Sequence, residues 1–183
     1  MVVTLNITDN EAQTHEMTLA RMGFEGVKLS RGTHIEIEYK KGIKTGSLLS
    51  SKLLPSFEKE VKKLVQTGVL LNTNKETATI LLGKKMYEYK PAKGVLISGE
   101  NKITDTSYVL ITRERDDFVG MSKLATLNTR FKMPEISDVR VGTMWIVAFP
   151  ETMNKKDRES AWKKILDSRL FFNPHRQVGM IFA

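Results

Sequence analysis

The chain has 183 residues, of which 40% are hydrophobic and 27% are charged, as in an ordinary globular protein. Cysteine is absent, which excludes disulfides, cysteine nucleophiles and cysteine-ligated metal centres. The 29 basic and 21 acidic residues give a formal charge of +8, which favours a polyanionic partner such as nucleic acid.

The length predicts one domain over residues 1–183. The longest apolar stretches, such as Thr143–Phe149, are much shorter than the roughly 20 residues that span a bilayer. The segment Met1–Asp9 lacks the basic and apolar regions of a signal peptide. We therefore expect a cytoplasmic protein with no membrane partner.

Apolar residues at helical spacing predict two helices, over about residues 51–67 and 155–168. Gly68 is suited to end the first helix, and Asn154 is suited to cap the second. A weaker pattern predicts a third helix over about residues 11–22, which Asp9 can cap.

Alternation and turn residues predict that most of the remainder is β-strand. The predicted strands are Val2–Ile7, Thr33–Lys40, Val69–Asn72, Thr77–Leu82, Met86–Lys90, Val95–Ser98, Tyr108–Thr112, Thr143–Phe149 and Gln177–Phe182. Short connectors between the strands that follow the helix predicted over residues 51–67 imply antiparallel neighbours. The sequence thus predicts an α+β fold with an antiparallel β-meander sheet packed by helices, and it shows no repeat of fixed period.

The segment of about residues 113–142 has no clear period and contains Gly120 and Pro134. We interpret it as a mobile basic loop, because long segments without regular structure are usually functional loops. A short helix near Ser122–Leu127 is the alternative.

The middle of the chain combines lysines with tyrosines. Tyr87 and Tyr89 alternate in a predicted strand and so point to one face. Four lysines surround them: Lys84, Lys85, Lys90 and Lys93. Such a face can stack unpaired bases and neutralise phosphates. In the alternative interpretation, the rings pack under a helix and the lysines keep a hairpin soluble.

Two further groups could extend this surface. Lys62 and Lys63 lie on the helix predicted over residues 51–67. Arg130, Phe131 and Lys132 lie in the segment interpreted as a loop. We therefore predict a non-enzymatic protein that binds single-stranded RNA or DNA with low sequence specificity and uses no metal or cofactor.

Two other functions stay open at this point. Glu36, Glu38 and Lys40 share a strand face, a spacing that metal-dependent nucleases use. The positive charge could instead serve a protein-interaction module or inhibitor with an acidic partner. A sheet with edge strands could also form a homo-oligomer.

Overall fold

The computed structural model describes residues 1–5, 8–40, 54–82, 85–90, 95–99 and 103–182. The helices of this part are α1 (Asn10–Arg21), α2 (Leu54–Gln66), α3 (Phe118–Thr129) and α4 (Lys155–Asp167). The strands are β1 (Val2–Leu5), β2 (Lys28–Tyr39), β3 (Glu76–Leu82), β4 (Lys85–Lys90), β5 (Val95–Ser98), β6 (Ser107–Glu114), β7 (Ile136–Ala148) and β8 (Gln177–Phe182). Over these ranges, no helix has the length and apolar character needed to cross a membrane.

The strands form an antiparallel sheet in the order β5-β4-β3-β1-β2-β7-β6-β8. With the four helices, this confirms the predicted α+β class. The meander is real but comprises only β3, β4 and β5, because β6 pairs with β7 and β8 instead. Val69–Asn72 is not a strand, and this prediction was wrong. The adjacent Leu70 and Leu71 are both buried after α2, a pattern that strand alternation does not produce.

The three predicted helices are present, with small differences at their ends. Residues 51–53 of the first predicted helix lie outside the described residues, and α2 ends at Gln66. Asp9 caps α1 by accepting hydrogen bonds from the backbone of Glu11 and Ala12. Asn154 caps α4 in the same way, through the backbone N–H of Asp157.

The segment interpreted as a loop contains a complete helix. Residues 113–142 comprise the end of β6, all of α3 and the first half of β7. Asp117 fixes this arrangement, because Oδ1 accepts from the Gly120 N–H at 2.7 Å and Oδ2 accepts from the Val141 N–H at 2.5 Å. One carboxylate therefore caps the helix and ties it to β7. The alternative helix near Ser122–Leu127 lies within α3.

The order of elements repeats within the chain. Both β1-α1-β2-α2-β3 and β6-α3-β7-α4-β8 follow the pattern strand, helix, strand, helix, strand. In each series the first strand lies between the other two, as β3-β1-β2 and β7-β6-β8. The first helix of each series begins after a capping aspartate, Asp9 or Asp117. The second strand of each contains a Gly-Thr pair, at residues 32–33 and 142–143.

Residue contacts group the chain into two compact units. Unit 1 comprises Met1–Asn6, His34–Glu100 and Asp117–Val141, and unit 2 comprises Ile7–Thr33, Asn101–Asp116 and Gly142–Ala183. Each unit has its own apolar core. The core of unit 1 includes Val3, Ile35, Ile80, Leu64 and Leu127, which come from strands and from α2 and α3. The core of unit 2 includes Leu29, Leu110, Trp145, Leu19 and Ile165, which come from strands and from α1 and α4. The single-domain organisation expected from the length stays a prediction.

Gly120 allows α3 to lie close to β7. A Cβ atom at this position would clash with the Val139 carbonyl oxygen and the Asp117 carboxylate. We expect Gly120→Ala to lower the free energy of unfolding by about 1–3 kcal/mol, because α3 must move away from β7 to admit the methyl group. Urea denaturation measures this change. Ser160→Ala, at an exposed position of α4, is the control and should change it by less than about 0.5 kcal/mol. Equal stability of the two variants would contradict the close approach.

Candidate nucleic-acid interface

Tyr87 and Tyr89 point to one face of β4, as the sequence predicts, but this face is the core of unit 1. Their exposed fractions are only 8% and 5%, and their antiparallel partners Ile80 and Ala78 are also buried. Apolar residues of α2, including Leu64 and Val65, belong to the same cluster. The rings therefore present no open face to a base. The prediction that Tyr87 and Tyr89 stack bases was therefore wrong. Both rings pack in the core, as the alternative interpretation expected.

The lysines around these tyrosines contribute little to the surface that the structure describes. Lys84 and Lys93 lie outside the described residues, as does the side chain of Lys85. The Lys90 Nζ lies 2.6 Å from Glu88 Oε1, so a neighbouring carboxylate on the same strand neutralises much of its charge. The predicted hairpin lysines thus remain an untested part of the interface.

Glu135, in the turn between α3 and β7, is contacted by residues from two other parts of unit 1. Its Oε1 lies 3.5 Å from the Nζ of Lys63 on α2. Its backbone carbonyl accepts a hydrogen bond of 2.9 Å from the backbone N–H of Lys40, the residue that follows β2. Arg130 and Lys132 lie in the same turn as Glu135. We call Lys40, Lys63, Arg130 and Lys132 the basic cluster, and all four are exposed.

The turn after α3 holds Arg130 and Lys132 at the surface because its apolar residues are anchored. Met133 is fully buried, and Phe131 packs against the core of unit 1. The Met133 N–H donates to the Leu127 carbonyl at 3.2 Å, which satisfies a carbonyl at the helix end. Lys132 adopts a left-handed backbone with φ of 54°, a conformation common at helix C-termini. Buried and exposed residues thus alternate along the turn, which is a packed structure and not a free arm.

The remaining predicted residues of this region differ in accessibility. Lys62 is half-buried, and it points about 100° around α2 from Lys63. Phe131 is half-buried, and the Arg130 guanidinium carbon lies 5.4 Å from its ring centroid. This cation–π contact orders Arg130 and covers part of the ring. Phe131 is therefore only partly accessible to a ligand.

Tyr39, at the end of β2, is a residue of this region that we did not predict as a site residue. Burial, and to a smaller extent the negative charges of Glu60 and Glu135, raises its pKa to about 12. Its hydroxyl group therefore keeps its proton, and can donate a hydrogen bond, to a higher pH than that of an ordinary tyrosine. The strand alternation placed Tyr39 with Ile35 and Ile37 on an apolar face, so the sequence suggested only a packing role.

The charge of the chain is concentrated in unit 1. This unit contains 16 of the 29 basic and 10 of the 21 acidic residues, and so carries +6 of the +8 charge. Several cations of unit 2 have acidic partners: Lys28 with Glu16, Arg31 with Asp9 and Glu11, Lys155 with Glu159, and Arg176 with Glu114. Arg31 also lies over the Trp145 ring, with 5.7 Å between guanidinium carbon and ring centroid. It is a structural residue of unit 2.

The carboxylates of the nuclease alternative are engaged by an arginine. The guanidinium of Arg140 on β7 lies 4.0 Å from Glu36 Oε2 and 3.6 Å from Glu38 Oε2, and its Nε lies 2.7 Å from Asp138 Oδ2. Arg140 thus supplies the positive charge that balances these carboxylates. Among the residues that the structure describes, no group of three or more His, Cys, Asp or Glu side chains is arranged to hold a metal.

The raised pKa of Tyr39 makes stability depend on alkaline pH. An unfolded tyrosine ionises near pH 10, whereas folded Tyr39 keeps its proton until about pH 12. Its contribution is therefore fully present below pH 10 and is lost as the pH rises towards 12. We expect the free energy of unfolding of Tyr39→Phe to decline less steeply over this interval than that of the wild type. Urea denaturation at several pH values measures the slope. The same flattening in Tyr108→Phe would contradict the assignment to Tyr39.

The region around Glu135 therefore holds the four exposed cations of the basic cluster and the half-buried rings of Tyr39 and Phe131, supplied by the end of β2, by α2 and by the turn after α3. No protein-family model, no curated protein and no solved structure matches this chain.

Proposed function

We propose that the protein binds single-stranded nucleic acid, RNA or DNA, with low sequence specificity and without catalysing a reaction. The observation that supports this most is that Lys63 on α2 and the backbone of Lys40 after β2 both contact Glu135, in the turn that also carries the exposed Arg130 and Lys132. Exposed cations that distant parts of a chain supply to one region create a local positive potential that attracts a polyanion.

In this proposal the basic cluster neutralises phosphates. Arg130 can contact a phosphate with two parallel N–H donors, whereas the lysines act as point charges. Lys63 can exchange Glu135 for a phosphate at little cost, because a pair of this exposure contributes at most about 1 kcal/mol. Each neutralised phosphate releases counterions, so affinity falls steeply as salt rises.

Low specificity follows from the groups involved. Phosphates are the same in every sequence, and lysine and arginine contacts to them carry no base information. The preference for unpaired strands rests on two half-buried rings: Tyr39 precedes Lys40, and Phe131 lies between Arg130 and Lys132. Unpaired bases can contact the accessible part of such rings, whereas the bases of a duplex are stacked inside it.

A titration of labelled single-stranded RNA, single-stranded DNA and duplex DNA at two salt concentrations, with Mg²⁺ present, tests the proposal. We expect binding that weakens at the higher salt, tightest for one of the single strands, with every probe intact on a denaturing gel. Cleaved probe would favour the nuclease that uses Glu36, Glu38 and Lys40. An absence of binding at low salt would contradict both nucleic-acid functions and favour the protein-interaction module.

Two triple variants test the position of the interface. Lys63→Ala/Arg130→Ala/Lys132→Ala should weaken binding roughly tenfold or more, alike for all sequences. It should also reduce the slope of log K against log salt by about 0.7 for each phosphate that the variant no longer neutralises. The matched control is Lys155→Ala/Lys156→Ala/Lys163→Ala, which removes the same charge from the exposed face of α4. Fluorescence anisotropy measures both affinities.

Equal reductions of affinity in the two triple variants would show that net charge alone drives binding and would contradict the basic cluster as the site. A third variant, Lys84→Ala/Lys85→Ala/Lys90→Ala, tests the predicted contribution of the hairpin. Unchanged affinity in this variant would remove β4 from the interface and leave the basic cluster as its centre.

A further inference from the structure

The solvent face of α3 is uncharged, and it is apolar at the N-terminal end of the helix. Phe118, Val119 and Met121 have exposed fractions of 72%, 56% and 63%, which is unusual for side chains of this type. Ser122, Ala125 and Thr129 are also exposed and complete this face without a charge. The sequence of α3 contains one charged residue, Lys123. Its ammonium group donates to the Val69 carbonyl, and it is half-buried.

The two ends of this helix carry opposite charges. Asp116 is exposed immediately before the capping residue of α3, and Arg130 and Lys132 are exposed immediately after the last turn. The guanidinium of the neighbouring Arg115 donates to the Pro174 carbonyl at 3.2 Å, which holds it against the segment before β8. The exposed face of α3 thus runs from an acidic end, over apolar side chains, to a basic end.

We infer that this face binds a second copy of the same chain, with the two α3 helices antiparallel across a two-fold axis. Phe118, Ser122, Ala125 and Thr129 are spaced symmetrically about the middle of the helix. In an antiparallel pair, Phe118 faces Thr129 of the second copy, and Ser122 faces its Ala125. A two-fold axis repeats each contact, so the uncharged face is complementary to itself.

The charges specify the antiparallel orientation. In this arrangement Asp116 lies beside Arg130 and Lys132 of the second copy, and the same contact recurs at the other end. A parallel pair would instead place like charges together at both ends, which is unfavourable. Antiparallel helices also place the positive end of one macrodipole beside the negative end of the other. An acidic peptide would satisfy only the basic end, so a second copy fits the whole face better.

The size of the contact predicts a weak dimer. Two helices of three turns bury less than the roughly 1,200 Å² that characterises stable complexes. The dimer should therefore form at high protein concentration and dissociate on dilution. Sedimentation equilibrium over a range of concentrations measures this directly, with the full chain and without nucleic acid. A wild-type chain that is monomeric at every concentration would overturn the inference.

Met121→Glu tests the apolar centre, because it places a charge in the contact without disturbing the core. We expect this variant to be monomeric and to have the circular dichroism spectrum of the wild type. Met17→Glu is the matched control, since Met17 is exposed to a similar extent, 59%, on α1. It should dimerise like the wild type. A dimer that persists in Met121→Glu but is abolished in Ile181→Lys would place the contact on the edge strand β8 and overturn the inference.

A charge exchange tests the orientation. Asp116→Lys should raise the dissociation constant roughly threefold or more, because it turns attraction into repulsion at both ends. Adding Arg130→Glu and Lys132→Glu to that variant exchanges the signs and should restore the wild-type value. If Asp116→Lys weakens the dimer but the triple variant does not regain the wild-type dissociation constant, the antiparallel arrangement is contradicted. These variants are compared only in self-association, so a failure here is distinguishable from a failure of the nucleic-acid proposal.

Discussion

The burial of one face of β3 and β4 in the core of unit 1 is the constraint on which its surface depends. Once Ile80, Tyr87 and Tyr89 pack with residues of α2, the sheet cannot use that face to hold a ligand. Polar chemistry is then confined to the opposite face, to the outer sides of the helices and to the turns between elements. The basic cluster satisfies this condition, because it lies at the end of β2, on α2 and in the turn after α3.

The repeated order of elements explains where the strand edges are. Each series places its first strand between its second and third, and the second strands β2 and β7 are neighbours, so the third strands β3 and β8 lie on the far sides of the two series. In the second series this leaves β8 at one edge of the sheet. In the first series the hairpin of β4 and β5 continues beyond β3 and provides the other edge. The hairpin is therefore an addition to one of the two series, and not part of the shared pattern.

The sequence was informative where burial has a clear period. The apolar stripes of α2 and α4 predicted both helices, and strand alternation predicted most of the sheet. It failed for α3 because Phe118, Val119 and Met121 point to solvent, so that the apolar residues of this helix surround it instead of forming one stripe. The preceding Asp117 was the available signal, since it corresponds to Asp9 before α1.

The site was less predictable than the fold for a related reason. Alternation shows that Tyr87 and Tyr89 share a face, but it cannot show which face a helix covers. Arg130 and Lys132 were recognised as cations of an irregular segment. Lys40 and Lys63 reach the same turn only through contacts between residues far apart in the chain, such as Lys63 with Glu135, and no local pattern records such contacts.

The anchored turn after α3 belongs to both proposed surfaces, since Arg130 and Lys132 would contact phosphates in one and the acidic end of a second copy in the other. Two ligands that require the same cations oppose each other, and thermodynamic linkage makes this opposition reciprocal. Bound nucleic acid would shift the chain towards the monomer. Self-association would in turn weaken the binding of nucleic acid, and the two binding free energies would change by the same amount. The burial of Met133, which fixes this turn, would thereby couple self-association to ligand occupancy without any change in fold.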